Sequence, residues 1–277
     1  MAPTFVVVPQ WQGSISPRAM RLVDGAAAVQ GDLPFSATRL VDVPVEAGDA
    51  LDTGVRRFST IQQVRERHTA VLGDTTDWAL SIGGDCGISL AAVEHAARLH
   101  PGDLAVVWFD AHPDLHTPES SPSGGFCGMV LRAISGEGPA ELKLAAASTV
   151  SLDNVVLAGI RDVDDAEDEL LEERSLVSIS CSELTDPAAL VAAVALTGAK
   201  HVFVHIDLDV LDPAALAGLN DLIPFGLSVA DLGGAITALR AEFTVAGATI
   251  CGFAPASPEA ASDDLPSILR IIGALTR

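Results

Sequence analysis

The chain has 277 residues, a formal net charge of -21, 49% hydrophobic residues and 19% charged residues. Such an acidic protein repels phosphate backbones and anionic lipid surfaces, so nucleic acid and membrane surfaces are excluded as expected partners. Cys86, Cys127, Cys181 and Cys251 show no paired spacing, which fits a reduced, cytoplasmic protein rather than a disulfide scaffold.

The N-terminus, Met1-Ala2-Pro3-Thr4, runs into Phe5-Val6-Val7-Val8, which reads as a first strand and lacks the basic start and long apolar core of a signal peptide. A loop entering a helix follows over residues 15–30, and residues 40–45 suggest a second strand. Ile61, Val64, His68, Val71 and Leu72 recur at helical spacing over residues 60–72. Residues 78–82 form a buried strand broken by Gly83-Gly84, then Asp85-Cys86-Gly87 leads into a helix over residues 88–99. A central strand spans residues 104–109, a Ser, Pro and Gly-rich loop residues 117–125, and a helix begins at residues 130–134. Beyond it come a strand at 155–158, an acidic helix at 166–174, a short strand at 176–179 and an Ala-rich helix opened by Asp186-Pro187 and running to Leu196. The strand at 201–206 ends in Asp207, Asp209 and Asp212; a helix near 229–242, a strand near 249–254 and a helix from about 265 complete the chain. The longest apolar segment, residues 188–199, falls short of the about 20 residues that cross a bilayer.

Strands alternating with helices, many of them continuous β-branched runs, predict an α/β fold: a three-layer α/β/α arrangement around a parallel sheet. No linker, repeat or low-complexity segment interrupts it, so one domain over residues 1–277 is expected. In such sheets polar function collects beyond the carboxyl ends of the strands. Cys86, Asp110, His112, Asp114, Asp207 and Asp209 all fall there. Asp110, His112 and Asp114 occupy every second position, so a continuing strand would aim all three into one volume. Their alternative reading is a strand followed by a polar turn.

Gly83-Gly84-Asp85-Cys86, Asp110-Ala111-His112-Pro113-Asp114 and His205-Ile206-Asp207-Leu208-Asp209-Val210-Leu211-Asp212-Pro213 resemble, in order, the three signature segments of the arginase/agmatinase (ureohydrolase) family. The resemblance implies a sheet of about eight strands and a centre of two manganese ions. Cys86, Asp110, Asp114 and Asp207 would hold one ion, and Asp110, His112, Asp207 and Asp209 the other. Hard carboxylates with an imidazole suit manganese, and two cations would relieve their mutual repulsion. Such a centre supplies a nucleophilic water at neutral pH, here aimed at a guanidinium carbon. Asp164 and Glu167 match acids that arginases place near the substrate α-ammonium, while His116, Ser121 and Ser123 match positions near its α-carboxylate. The two acids have a second reading, as decoration of a helix N-terminus.

Three departures from the family pattern bear on the substrate. Cys86 stands where a His ligand is usual, although a small buried Cys beside Gly is also ordinary packing. Cys127 stands where arginases carry a proton-shuttling His, and a thiol replaces imidazole poorly near neutral pH. Gly252 falls where a Glu normally pairs with the guanidinium. An N-hydroxyguanidine, less basic than a guanidine, needs both missing groups less. The chain is therefore similar to the branch of the family that converts N-omega-hydroxy-L-arginine to L-ornithine and hydroxyurea in D-cycloserine biosynthesis. Asp114 would carry the proton to the leaving nitrogen. Ordinary arginase or agmatinase chemistry, or a metal-binding pseudoenzyme, are the alternatives. Installing Cys127→His with Gly252→Glu is expected to raise activity on arginine. His205 and Cys181 receive no role. Ending at Arg277 soon after the last helix, the chain is expected to be a monomer.

Overall fold

The computed structural model describes residues 3–75 and 77–277; Met1 and Ala2, where the reading of the N-terminus begins, and Thr76 lie outside the described residues. The continuous apolar runs become strands: β1 (Thr4–Val7), β2 (Thr38–Leu40), β3 (Ala79–Ile82), β4 (Leu104–Phe109), β5 (Val155–Ala158), β6 (Val177–Ile179), β7 (His201–Asp207) and β8 (Thr244–Cys251). They form an eight-stranded sheet in the order β2-β1-β3-β8-β7-β4-β5-β6. All its pairings are parallel. Every residue of β3, β4 and β5 is buried, as a parallel sheet covered on both faces requires.

The helices are α1 (Arg21–Gly31), α2 (Phe58–Gly73), α3 (Ser89–Leu99), α4 (Val130–Ile134), α5 (Asp165–Arg174), α6 (Ala188–Leu196), α7 (Val229–Glu242) and α8 (Pro258–Thr276). Val29 of α1, Leu190 of α6, Ile236 of α7 and Ile268 of α8 pack in one core layer with Val107 and Phe109 of β4. Ile61 of α2, Val93 of α3 and Val130 of α4 pack in the other with Val106 and Trp108. Successive β4 side chains thus feed opposite layers, the period-two rule of a strand. Each Leu or Ile buried this way contributes about 1.5–3 kcal/mol.

Three boundaries differ from the sequence reading. The second strand lies at Thr38–Leu40, earlier than residues 40–45. Val41 N–H still bonds to Val7 O, but the proline at position 44 has no N–H with which to prolong the ladder. The last strand begins earlier and stops at Cys251, because Gly252 turns the chain with φ +83°. The last helix begins at Pro258 rather than near 265: Ser257 caps it by accepting from Ala260 N–H, Pro258 occupies its first turn, and the helix runs on through Pro266.

Between α2 and the sheet, fully buried His68 places Nε2 2.9 Å from Ser81 Oγ. Burial lowers its pKa from 6.5 to about 3. The unfolded chain therefore binds this proton more readily, so stability rises with pH between about 3 and 6.5 and falls as the medium is acidified through that window. Urea melts of His68→Leu are expected to show a flatter acid limb than the parent protein. An unchanged difference between pH 4 and pH 7 would contradict a buried neutral imidazole.

Candidate metal centre and substrate cavity

The four central strands, β3, β8, β7 and β4, end side by side, and the turns beyond them carry the ligand-type residues. After β3, Gly83 and Gly84 adopt φ +98° and +78°. A Cβ on Gly84 would stand 2.6 Å from Gln10 O, so the close approach requires glycine. Asp85 fastens this turn: Oδ1 accepts from Gly87 N–H at 2.9 Å and from Gln10 Nε2 at 2.8 Å, and Oδ2 accepts from Gly13 N–H at 2.8 Å. Burial nevertheless pushes its carboxyl up to about 6. Cys86 is thereby fixed with Sγ 3.0 Å from Asp207 Oδ2 and 3.9 Å from Asp110 Oδ2.

β4 ends at Phe109, so Asp110, His112 and Asp114 lie in a turn and not on a continuing strand. Backbone groups set their aim. Asp110 Oδ1 accepts from His112 N–H at 2.7 Å, Asp207 Oδ1 from Asp209 N–H at 2.9 Å, and Asp209 Oδ1 from Ala111 N–H at 3.0 Å. Each carboxylate keeps Oδ2 for the cluster. His112 Nδ1 lies 3.3 Å from Asp110 Oδ1 and 3.0 Å from Asp209 Oδ2. Asp114 holds a left-handed backbone at φ +52°, and among the described residues its buried Oδ2 has no hydrogen-bond partner. A strained, unpartnered carboxylate of this kind costs stability that a ligand would return.

Donor atoms of Cys86, Asp110 and Asp207 lie within 4.8 Å of one another, as do those of Asp110, His112 and Asp209. The two groups share Asp110. Burial, then the neighbouring carboxylates, drive Asp114 and Asp209 well above the ordinary carboxylate range. Burial followed by Asp110 raises Asp207. At Asp110 burial also works upward, but hydrogen bonding from His112 and the charge of His112 and His205 outweigh it and hold the carboxyl low. Four buried carboxylates that cannot ionise together, with an orphaned oxygen among them, fit divalent cations.

A cavity of about 260 Å³ opens in front of the cluster. Cys127 and Gly252 line it, and burial, then Asp114, raises the Cys127 thiol well above its usual range, so it stays protonated. His116, Asp164 and Glu167 meet at the cavity wall: His116 Nε2 is 3.0 Å from Asp164 Oδ2 and 3.9 Å from Glu167 Oε1. Asp164 Oδ1 also caps α5, accepting from Ala166 and Glu167 N–H, which is the helix-terminus reading of that acid, while its Oδ2 faces His116. Ser123 lines the cavity, whereas Ser121 is not among its lining residues and its Oγ accepts from Gly124 N–H at 3.0 Å. Gly252 is bound to its conformation, because a Cβ there would fall 2.2 Å from Asp207 Oδ1. That geometry argues against the expectation that Gly252→Glu, installed with Cys127→His, raises activity on arginine.

Further cavity residues escaped sequence reasoning: Ser14, Asn220 and Asp221 come from loops that carry no periodic or motif signal. Asp162, 3.5 Å from His112 Nε2, lay within a motif but had no assigned part. Cys251 and His205 stand directly behind the cluster.

Comparison with known proteins accords with this arrangement. The model of the arginase family matches residues 13–265. An N(omega)-hydroxy-L-arginine amidinohydrolase of Streptomyces lavendulae is 28% identical over 272 residues, covering 94% of this chain and 93% of that protein. An arginase of Staphylococcus aureus is 29% identical over 209 residues, covering 72% and 67%. In fold, the chain is similar to the Entamoeba histolytica arginase crystallised with L-ornithine, with a TM-score of 0.84, 21% identity, and coverage of 99% and 98% of the two chains.

Proposed function

Since the chain belongs to the arginase family, whose members are amidinohydrolases acting on C–N bonds, we propose that it hydrolyses N-omega-hydroxy-L-arginine to L-ornithine and hydroxyurea. The observation that carries this reading is the cavity wall, where a thiol at Cys127 and a bare glycine at position 252 supply no imidazole and no carboxylate at the two positions from which arginases are expected to serve a fully charged guanidinium. The hydroxyl oxygen of an N-hydroxyguanidine withdraws electrons and lowers its basicity, so both absent groups matter less. The name of the Streptomyces lavendulae relative supports the same substrate. Supply of hydroxyurea for D-cycloserine assembly belongs with this proposal.

In this reading Cys86, Asp110, Asp114 and Asp207 hold one divalent ion, and Asp110, His112, Asp207 and Asp209 the other, with manganese as the proposed metal. Bound there, the ions supply charge neutralisation and an acidified water. The remaining chemistry falls to side chains. Asp164 and Glu167 receive the substrate α-ammonium, while His116, Ser121 and Ser123 direct its α-carboxylate. Asp114 moves a proton to the leaving nitrogen through the oxygen that otherwise lacks a partner. Cys127 shapes the wall and transfers no proton. The working unit is proposed to be a monomer.

Purified protein given arginine, agmatine and N-omega-hydroxy-L-arginine in parallel is expected to release ornithine and hydroxyurea from the last, with a kcat/KM at least about 100-fold above that on arginine, a difference of about 2.7 kcal/mol in transition-state binding. Preference for arginine, or no turnover of any of the three, would defeat the proposal.

A further inference from the structure

Behind the carboxylates the sheet carries a second, softer set of donors. β7 and β8 pair with His205 opposite Thr249 and Asp207 opposite Cys251. Side chains two apart on a strand share a face, so these four form one patch. Cys86 reaches the same patch from the turn after β3, with its Sγ 3.8 Å from Cys251 Sγ. Asp207 Oδ2 lies 3.0 Å from Cys86 Sγ and 3.4 Å from Cys251 Sγ.

His205 faces this group from a fully enclosed position, 0% exposed, stacked on Trp108 with ring centroids 3.4 Å apart. Its Nδ1 is held by Ser89 Oγ at 2.8 Å and Thr249 Oγ1 at 2.9 Å. Among the described residues, Nε2 has no hydrogen-bond partner; an Asp110 oxygen stands at 3.6 Å. The donor atoms of Cys86, His205 and Cys251 all lie within 4.8 Å of one another. An imidazole oriented through one nitrogen by hydroxyls, with the other nitrogen turned towards two thiols, has the second-sphere support of a metal ligand. The sulfur spacing fits as well. Bonds of about 2.3 Å at tetrahedral angles place two sulfurs about 3.8 Å apart.

We infer that Cys86, Cys251 and His205, completed by Asp207 Oδ2, form a thiolate–imidazole position that selects zinc over manganese, leaving the harder Asp110, His112 and Asp209 side for manganese. Each thiol that coordinates releases its proton to solvent, and no redox step is involved. Sulfur and imidazole ligands suit zinc, whereas carboxylate and water suit manganese. The inference rests on the reading of the cluster as a metal centre and changes what one of its two positions holds.

The test uses metal-stripped, reduced, full-length protein. Loaded with one equivalent of zinc, the parent protein is expected to show two sulfur neighbours at about 2.3 Å by X-ray absorption. One equivalent of cobalt(II) is expected to give a thiolate-to-cobalt charge-transfer band that falls to about half in Cys251→Ala and is unchanged in Cys181→Ala, which lies apart against Gly159 O. Because zinc outbinds manganese at most mixed sites, the diagnostic competition result is a change in ratio. Dialysis against both metals should give a zinc preference that drops at least about tenfold in Cys251→Ala and in His205→Ala, the scale of losing a supporting ligand contact. A single sulfur neighbour in the parent protein, or an unchanged ratio in both variants, overturns the inference while leaving the metal centre intact. Failure to bind any divalent ion overturns both. The absorption measurement on the parent protein decides the matter should a variant not fold.

Discussion

Asp110→Asn is expected to cost at least about a thousandfold in turnover, the equivalent of about 4 kcal/mol of the several that a metal centre supplies. Asp110 is the member common to both donor groups, with Oδ1 fixed by His112 N–H and Oδ2 facing Cys86. An amide at this position keeps the shape but offers a neutral oxygen, and neither donor group then carries its full charge. The same substitution should remove metal-dependent stability. A metal present at about 100 times its Kd stabilises the folded chain by about 2.7 kcal/mol, or about 5–10 °C in Tm for a chain of this size. The parent protein should lose that increment on chelation, and Asp110→Asn should show none to lose. Equal Tm shifts in the two proteins would mean that the stabilising ion sits elsewhere.

Gly252→Glu is expected to abolish activity on every guanidino compound instead of creating an arginase. The backbone at Gly252 has φ +83°, where a side chain costs about 1–3 kcal/mol. Its Cβ would also lie 2.2 Å from Asp207 Oδ1, the oxygen that Asp209 N–H holds in place. Asp207 must move, and with it a carboxylate common to both proposed metal positions. Gly252→Ala introduces the same collision without the added charge and should already reduce bound metal by half or more. Cys127→His alone meets no such obstacle, since the thiol lines the open cavity. Any gain on arginine should appear in that single variant. A double variant more active on arginine than Cys127→His would show that Asp207 tolerates the displacement.

Much of the framework was legible because its causes are local. Continuous apolar runs such as Leu104–Phe109 became strands buried on both faces, and the acids after them collected at one sheet edge. Strand periodicity is not what brings Asp110, His112 and Asp114 together: β4 stops before them, and backbone N–H groups and a left-handed Asp114 do the aiming. Asn220 and Asp221 were illegible because only tertiary folding brings their loop to the cavity. His205 and Cys251 were visible as residue types, but their nearness to Cys86 depends on the pairing of β7 with β8 and on the β3 turn. Gly252 shows the same limit from the other side. Its place in the family resemblance suggested a missing carboxylate, while the reason for glycine there lies in a torsion angle and in Asp207.

The central claim is that side chains from the ends of β3, β4 and β7 grip a pair of divalent ions. Anomalous diffraction from crystals of the metal-replete protein tests it most directly. Two peaks are expected at the cavity floor, one beside Cys86 and one beside His112, with Asp110 and Asp207 between them. A floor without anomalous density, or a lone ion that touches neither Asp207 nor Asp209, would contradict the account.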